Sequence, residues 1–184
     1  MIYLLRHGLD DESYIGGYSN ISLLEEGKRQ VVRARDFIVN NKLLIHKIYS
    51  SDVKRALETT SIINKKLNLN IITSSGLREL DKGLLTGMKK DVAYKKYPEY
   101  ENLNDINIRY PNGESMQDLY NRVVTYIKDF DDDNCLLVTH RGVINMLYYY
   151  YNNIDLSMDK ERFGVTHASI HELDIKKGKI KKIF

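Results

Sequence analysis

Two histidines stand where short apolar runs of the chain end, and each has an arginine beside it and a glycine close by. The two sequences are Arg6-His7-Gly8 and His140-Arg141-Gly142. Imidazole exchanges protons near neutral pH and can also act as a covalent nucleophile. Arginine forks match the oxygens of phosphate and carboxylate groups. The pattern therefore indicates a site that handles an anionic group.

Strands and helices are predicted to alternate along the chain. The predicted strands cover residues 2–5, 46–50, 70–73 and 135–139, with a terminal hairpin at 168–175 and 179–183. Because helices separate the first four strands, we expect a three-layer α/β/α sandwich with a mostly parallel central sheet and a C-terminal hairpin. One domain covers residues 1–184, with a helical excursion at about 88–130 over the edge of the sheet that carries the site.

Serines at the start of two helical segments predict capping boxes. Ser22 is followed three residues later by Glu25, and Ser115 is followed by Asp118. Such pairs satisfy the free backbone N–H groups at a helix start. We expect helices from about residue 22 to 40 and from about 115 to 130.

Four consecutive strand-to-helix junctions each carry a polar residue of a catalytic type. In chain order these are Arg6 with His7, then Arg55, Glu79 and His140. Parallel strands end at the same edge of a sheet, so the four junctions are expected to converge there. Arg55 falls in the first turn of its helix, where the helix dipole favours an anion.

A metal centre is the first alternative for such a cluster. His7, His140 and Glu79 are suitable ligands for zinc or iron. However, Arg6 and Arg55 would then place positive charge beside a cation, which is unfavourable. A Ser-His-Asp triad is a second alternative, but the chain has no G-x-S-x-G sequence. We therefore predict a phosphate pocket with one histidine as the nucleophile and with no metal cofactor.

Four ordered sequence blocks carry a family resemblance. They are Leu4-Leu5-Arg6-His7-Gly8, Ser50-Ser51-Asp52-Val53-Lys54-Arg55-Ala56, Leu77-Arg78-Glu79 with Gly83, and Val138-Thr139-His140. With these blocks the chain resembles the histidine phosphatase superfamily, which includes cofactor-dependent phosphoglycerate mutases, α-ribazole phosphatases and acid phosphatases. The blocks follow the family's order and span nearly the whole chain.

The resemblance implies a role for each matching residue. His7 corresponds to the nucleophile that forms a phosphohistidine, and Glu79 to the general acid and base. Arg6, Arg55 and His140 correspond to the groups that bind the phosphoryl oxygens. The implied activity is that of a phosphomonoester hydrolase. The alternatives are a cofactor-dependent phosphoglycerate mutase-type phosphotransferase, which usually has more sequence around the pocket, and a catalytically silent domain that binds a phospho-ligand.

The chain also departs from the family pattern around the pocket. Ser13 stands where an asparagine is usual and is a candidate substrate contact. Arg141 replaces a glycine after the second histidine and is a candidate contact for a second anionic group. Asp81 is the rival of Glu79 as the acid. The remaining histidines, His46, His167 and His171, and the loop residue Arg78 are predicted to be structural.

Composition limits the other classes of function. The 184 residues include 42% hydrophobic and 29% charged residues, which is ordinary for a globular protein. A formal charge of +3 is too small to indicate nucleic-acid binding by itself, although the lysines of residues 176–182 keep that alternative open. No apolar run approaches the roughly 20 residues of a membrane helix. Cys135, the single cysteine, falls in an apolar strand, so we expect a buried, inert thiol.

The start of the chain bears on its location. The first predicted strand begins at residue 2, which leaves no room for a signal peptide, so a cytoplasmic protein is expected. The expected partner is a small phosphorylated metabolite as substrate, with no nucleic acid and no membrane. The sequence does not fix the oligomeric state.

Overall fold

A computed structural model describes all 184 residues, arranged as six β-strands and five α-helices. The strands are β1 (Ile2–Arg6), β2 (Lys47–Ser50), β3 (Asn70–Thr73), β4 (Cys135–Thr139), β5 (Ile170–Asp174) and β6 (Lys179–Lys182). The helices are α1 (Glu25–Asn40), α2 (Lys54–Leu67), α3 (Lys90–Lys96), α4 (Met116–Lys128) and α5 (Arg141–Tyr151). None of the helices is long and apolar enough to cross a membrane.

All six strands form one sheet in the order β3-β2-β4-β1-β5-β6. The pairs β2–β3, β2–β4 and β1–β4 are parallel. β5 runs antiparallel to β1, and β6 runs antiparallel to β5. The mostly parallel sheet with a terminal hairpin confirms the predicted fold class. β5 lies directly beside β1, so the loop that precedes β5 reaches the end of β1.

The central strands are buried on both faces, and their alternating side chains divide the core into two parts. Ile2 and Leu4 of β1 belong to the cluster that includes residues of α4 and α5. Tyr3 and Leu5 belong to the cluster that includes residues of α1 and α2. Continuous apolar strands of this kind are typical of parallel sheets with helices on both sides. Cys135 is also fully buried, as predicted.

One of the two predicted capping boxes forms. Ser115 Oγ accepts a hydrogen bond from the Asp118 N–H at 3.0 Å, and the Asp118 carboxylate accepts from the Ser115 N–H at 2.8 Å. The prediction for Ser22 was wrong, because α1 begins at Glu25 without a side-chain cap. The preceding residues run alongside the loop after β1 instead, and Leu24 N–H donates to Leu9 O at 2.9 Å.

The segment predicted as an excursion contains both α3 and α4. α4 packs against α5 in the second helical layer, so this part belongs to the sandwich itself. The start of the segment contacts the loop after β1, where Ile15 N–H donates to Met88 O at 2.8 Å. A further bridge joins Tyr14 to Lys89, just before α3. These contacts bring residues 88–90 to the edge of the sheet where the candidate residues lie.

Candidate active site

A cavity of about 230 Å³ opens at the carboxyl ends of β1, β2 and β4. Five of the predicted site residues line it, namely Arg6, His7, Arg55, Glu79 and Arg141. His140 is completely buried and does not line the cavity, although its ring centroid lies 5.1 Å from that of His7. Ser13 also lies outside the cavity lining.

The loop after β1 passes so close to α1 that only glycine fits at position 8. A Cβ atom on Gly8 would lie 2.4 Å from the carbonyl oxygen of Gly27 in α1. Contacts this short are sterically forbidden, so any side chain at position 8 would push the loop away from the helix. The glycine of the Arg-His-Gly sequence therefore fixes the position of His7 relative to α1.

Two hydrogen bonds orient His7, which is 4% exposed. Its Nδ1 lies 2.8 Å from Gly8 O, an acceptor, so Nδ1 carries the proton. Nε2 then holds the lone pair and accepts from Arg55 Nε at 3.2 Å. Burial lowers the pKa of His7 well below its ordinary value, and the charge of Arg55 lowers it further. The imidazole is therefore neutral, as a nucleophile must be.

Arg55 lies in the first turn of α2 and is 2% exposed. Its Nη2 donates to Gly17 O at 2.8 Å, and its Nε lies 3.4 Å from Asp10 Oδ2. Burial lowers the pKa of Arg55, and the charge of Asp10 opposes that effect. The side chain is thus a buried cation that donates to Nε2 of His7, with the charges of Asp10 and Glu79 acting on it.

Arg6 is held by the loop that precedes β5. Its Nη1 donates to Val165 O at 2.9 Å, and its Nη2 lies 2.6 Å from His167 Nε2. Burial lowers the pKa of Arg6 to about 10, so it remains charged at neutral pH. Burial and the charge of Arg6 lower the pKa of His167 to about 3, so the ring is neutral and Nε2 accepts this bond.

His167, to which the sequence interpretation gave a structural role, lies outside the cavity lining but contacts the candidate site residue Arg6. Its ring centroid lies 5.8 Å from that of His7, and Ala168 N–H donates to His7 O at 3.1 Å. The signal that could have found it is the pairing of β5 with β1, which brings their ends together. His171, in contrast, is completely buried away from the cavity, between Tyr148 and Ser169.

His140 is fixed by a hydrogen bond of 2.9 Å between its Nε2 and Ser51 Oγ. Its Nδ1 is buried and has no hydrogen-bond partner, and the same is true of Arg6 Nε. Burial, followed by the charges of Arg55 and Arg6, lowers the pKa of His140 well below its ordinary value. Unsatisfied buried nitrogen atoms are costly, so their occurrence on two candidate site residues is typical of a functional site.

The Glu79 carboxylate is bound by two backbone N–H groups. Leu80 N–H donates to Oε1 at 2.9 Å, and Gly142 N–H, at the start of α5, donates to Oε2 at 3.1 Å. The rival Asp81 does not line the cavity, and its Oδ1 accepts from Gly83 N–H at 2.8 Å to form a local turn. The geometry therefore favours Glu79 as the acid.

Arg122 of α4 supports the loop that carries Glu79 and was not singled out in the sequence. Its guanidinium donates to Glu79 O at 3.1 Å and to Gly76 O at 3.0 Å. It also pairs with the Glu114 carboxylate, with Nε 2.8 Å from Oε1. One side chain thus ties the loop after β3 to the second helical layer.

The three peripheral candidates have different surroundings. Ser13 is exposed and its hydroxyl donates to Asp11 Oδ1 at 2.6 Å. Arg141 lines the cavity, but its guanidinium forms an ion pair with Glu161. Arg78, which was predicted to be structural, forms an ion pair with Asp52 of the loop after β2, with Nε 2.6 Å from Oδ1.

One group of side chains has the composition of a metal site. Ligand atoms of His7, Asp10 and His167 all lie within 4.8 Å of one another. Arg55 contacts both His7 and Asp10, and Arg6 contacts His167. Two guanidinium groups in contact with these residues repel a divalent cation and attract an anion. The surroundings of the group therefore suit a phosphoryl group better than a metal ion.

Comparison with known proteins gives a match to the family model of the histidine phosphatase superfamily (branch 1) over residues 2–183. Phosphoglycerate mutase-like protein 4 of Arabidopsis thaliana is 34% identical over 160 residues, which cover 80% of this chain and 69% of that protein. Human 6-phosphofructo-2-kinase/fructose-2,6-bisphosphatase 1 is 31% identical over 166 residues. That match covers 86% of this chain but only 34% of the human protein.

Solved structures of phosphatases share the fold. A mycobacterial glucosyl-3-phosphoglycerate phosphatase superposes with a TM-score of 0.75 at 23% identity, covering 92% of this chain and 87% of the other. A putative α-ribazole-5'-P phosphatase of Escherichia coli gives a TM-score of 0.80 at 18% identity, covering 99% and 94%. At these identities the likeness shows a common fold.

Proposed function

The chain belongs to the histidine phosphatase superfamily, as its sequence motifs predicted, and we propose that it hydrolyses phosphomonoesters through a phosphohistidine intermediate. The observation that carries the proposal is the geometry of His7. A neutral imidazole presents its Nε2 lone pair to the buried cation Arg55 within the cavity. This arrangement suits attack on a phosphorus atom whose oxygens are bound by guanidinium groups.

In the first step, Arg55 Nε releases its hydrogen bond to His7 Nε2 and donates to a phosphoryl oxygen instead, which frees the lone pair. His7 Nε2 then forms a bond to phosphorus, and the bond from phosphorus to the ester oxygen breaks. Arg6 and Arg55, which line the cavity, bind the phosphoryl oxygens and stabilise the charge that spreads over them in the transition state. His140 does not line the cavity, so its expected role requires its buried Nδ1, which has no partner, to reach the phosphoryl group through movement of the ring. Glu79, in its protonated form, gives its proton to the leaving oxygen, so the alcohol departs neutral.

In the second step, water replaces the alcohol. Glu79, now a carboxylate, takes a proton from the water while the water oxygen bonds to phosphorus. The bond between phosphorus and His7 Nε2 breaks, and inorganic phosphate leaves. The imidazole returns to its neutral form because Nδ1 keeps its proton, which it donates to Gly8 O, throughout.

A phosphotransferase of the mutase type is the second candidate. It would use the same first step and return the phosphoryl group to another hydroxyl of the substrate. Hydrolysis is preferred because several relatives and structural neighbours are named phosphatases or bisphosphatases. A catalytically silent binding domain is disfavoured because Arg6, His7, Arg55 and Glu79 all line one cavity.

The proposed substrate is a small phosphorylated metabolite, which a cavity of about 230 Å³ can hold. A cytoplasmic location and the absence of nucleic-acid and membrane partners stay predictions from the sequence.

The test combines phosphate release with trapping of the intermediate. The wild-type protein should release phosphate from 4-nitrophenyl phosphate, and rapid quenching should yield an acid-labile, base-stable phosphoenzyme labelled on His7. His7→Ala should abolish both signals, whereas His46→Ala, which removes an exposed histidine, should retain them. Labelled phosphate on any residue other than His7 would overturn the assignment.

A further inference from the structure

A second group of positive side chains lines the cavity beside the phosphoryl site. Lys82 lies in the loop after Glu79, Lys90 begins α3, and Lys160 lies in the segment between α5 and β5. Three separate parts of the chain thus bring lysines to one cavity, and none of these lysines is used in the proposed chemistry. Their convergence is not visible as a motif in the sequence.

Lys82 is only partly exposed and has no carboxylate partner. Its ammonium group donates to the Tyr110 hydroxyl and lies 3.8 Å from the centroid of that ring. Burial and the charge of Lys160 together lower the pKa of Lys82 to about 7. Holding an ammonium group in such a place is costly unless an anion joins it.

Lys160 is positioned by α5. Asn145 Nδ2 donates to Lys160 O at 2.9 Å, and the Tyr149 hydroxyl lies 2.7 Å from Ser157 Oγ. These two bonds fix the segment that carries the lysine against the helix that begins beside Glu79. Lys160 forms no ion pair and is exposed as a residue, although desolvation of its ammonium group and then the charge of Arg141 lower its pKa.

Arg141 differs from the two lysines because Glu161 already neutralises it. Five carboxylates also line the cavity, including Glu79, and none of them forms an ion pair with either lysine. Asp10 pairs with Arg55, and Asp11 accepts from Ser13. Six cationic and five anionic side chains thus line the cavity, and Lys82 and Lys160 are two of the cations that have no ion-pair partner.

Lys82, Lys160 and the proposed general acid Glu79 line the same cavity, and the charge of Glu79 raises the pKa of both lysines. The acid protonates the leaving oxygen, so groups beside it face the alcohol portion of the substrate.

We propose that Lys82 and Lys160 form a subsite for a second anionic group, a carboxylate or a further phosphate, on the leaving-group portion of the substrate. This inference rests on the proposed phosphatase function and narrows its substrate class. The sequence predicted that Arg141 would contact the second anionic group. The proposal assigns that contact to two lysines that have no ion-pair partner.

The test compares matched substrates. The series consists of ω-hydroxyalkyl phosphates of increasing chain length, with the corresponding ω-carboxyalkyl phosphates and α,ω-bisphosphates. At the best length, kcat/KM for a substrate with the second anion should exceed that for the hydroxyl analogue by about tenfold to a hundredfold, the value of one charge-assisted hydrogen bond. Comparison of kcat/KM between the ω-carboxyalkyl phosphates and the α,ω-bisphosphates shows which anion the subsite prefers.

Variants assign the preference to the lysines. Lys82→Met and Lys160→Met should each lower the ratio of the two kcat/KM values by about tenfold. Lys89→Met is the matched control, because Lys89 is exposed and lies outside the cavity lining, and it should leave the ratio unchanged. A wild-type ratio near one, or a ratio that neither variant lowers, would overturn the subsite.

A binding measurement separates this inference from the proposed function. Calorimetry would compare an ω-carboxyalkyl phosphonate, which cannot be hydrolysed, with its ω-hydroxyalkyl analogue on the wild type and on Lys160→Met. If no ester releases phosphate but the carboxylated phosphonate binds more tightly only to the wild type, the hydrolytic function fails and the subsite stands. Equal affinities for both phosphonates would overturn the subsite even in an active phosphatase.

Discussion

The carboxylate of Glu79 occupies the space that a side chain at position 142 would need. A Cβ atom on Gly142 would lie 2.0 Å from Glu79 Oε1, while the backbone N–H of Gly142 donates to Oε2 at 3.1 Å. Gly142 follows His140 by two residues, so the start of α5 positions the second histidine and the proposed general acid together. A larger residue here would displace the acid without touching the nucleophile.

Gly142→Ala should therefore reduce acid catalysis selectively. The new methyl group forces the Glu79 side chain to move, and the hydrogen bond from the backbone at position 142 is lost. Turnover of an alkyl phosphate should fall by about a hundredfold, the usual contribution of a positioned acid, and that of 4-nitrophenyl phosphate much less. Gly16→Ala is the control, because its Cβ would lie at an ordinary 3.6 Å from Arg55 Nη2. Equal losses on both substrates would contradict the displacement of the acid.

Substitution of Glu79 itself should also slow turnover of an alkyl phosphate much more than that of 4-nitrophenyl phosphate. Glu79→Gln removes the proton that an alkoxide leaving group needs, whereas a nitrophenolate leaves without much help. We expect the slope of log kcat against leaving-group pKa to become clearly steeper in Glu79→Gln. Asp81→Asn should retain the wild-type slope, because Asp81 only stabilises the turn at Gly83. A steep slope in Asp81→Asn alone would assign the acid to that residue.

The sequence predicted the elements that periodicity and strand composition determine. β3 and β4 have the predicted bounds, and the junction residues Arg6, His7 and Arg55 line one cavity because parallel strands end at one edge. The start of α1 was wrong because a tertiary contact replaced the local cap. The Glu58 carboxylate accepts the Leu23 N–H at 2.7 Å, and Ser22 is not used as a cap.

The missed residues share one physical reason, which is that long-range packing places them. His167 reaches Arg6 only because β5 pairs with β1, and Lys160 reaches the cavity only because α5 binds its segment. Arg122 is a helix residue whose partners are backbone carbonyl groups of a distant loop. Neither periodicity nor a local motif marks such contacts in a single sequence.

Arg122→Met should destabilise the fold more than most surface changes. The substitution removes hydrogen bonds to the backbone of the loop that carries Glu79 and leaves the Glu114 carboxylate without its ion-pair partner. Removal of one partner of a half-buried ion pair lowers the free energy of unfolding by about 2–4 kcal/mol. In urea unfolding, the urea concentration at the midpoint should fall, while the slope of the unfolding free energy against urea concentration should stay unchanged. Arg109→Met, at a more exposed ion pair with Asp118, should cost less than about 1 kcal/mol.

Metal dependence gives a separate check on the group formed by His7, Asp10 and His167. Because Arg6 and Arg55 contact these residues, activity should survive exhaustive chelation. Vanadate, which adopts the geometry of a phosphoryl group in transfer, should inhibit at low concentration. Activity that chelation removes and that only added zinc or magnesium restores would show that the arginines do not exclude a cation.

The pH dependence of the substrate preference should follow Lys82. The groups that face its ammonium are the Tyr110 hydroxyl and, through their charges, Lys160, Glu79 and Arg141. Burial lowers the pKa of Lys82 to about 7, so the cationic form that binds an anion is present below this pH and is lost above it. Since kcat/KM reports the free enzyme, the ratio of carboxylated to hydroxylated substrate should fall as the pH rises through about 7.

Two variants distinguish this titration from that of other groups. Lys160→Met removes the charge that, after burial, lowers the pKa of Lys82 most, so this pKa should rise and the inflection should move to higher pH even though the preference is smaller. Lys82→Arg keeps its charge throughout the measured range, so its ratio should be independent of pH. Titration of the substrate phosphate cancels in the ratio, because both substrates contain that group. A ratio that falls with the same midpoint in Lys82→Arg would assign the inflection to a different residue.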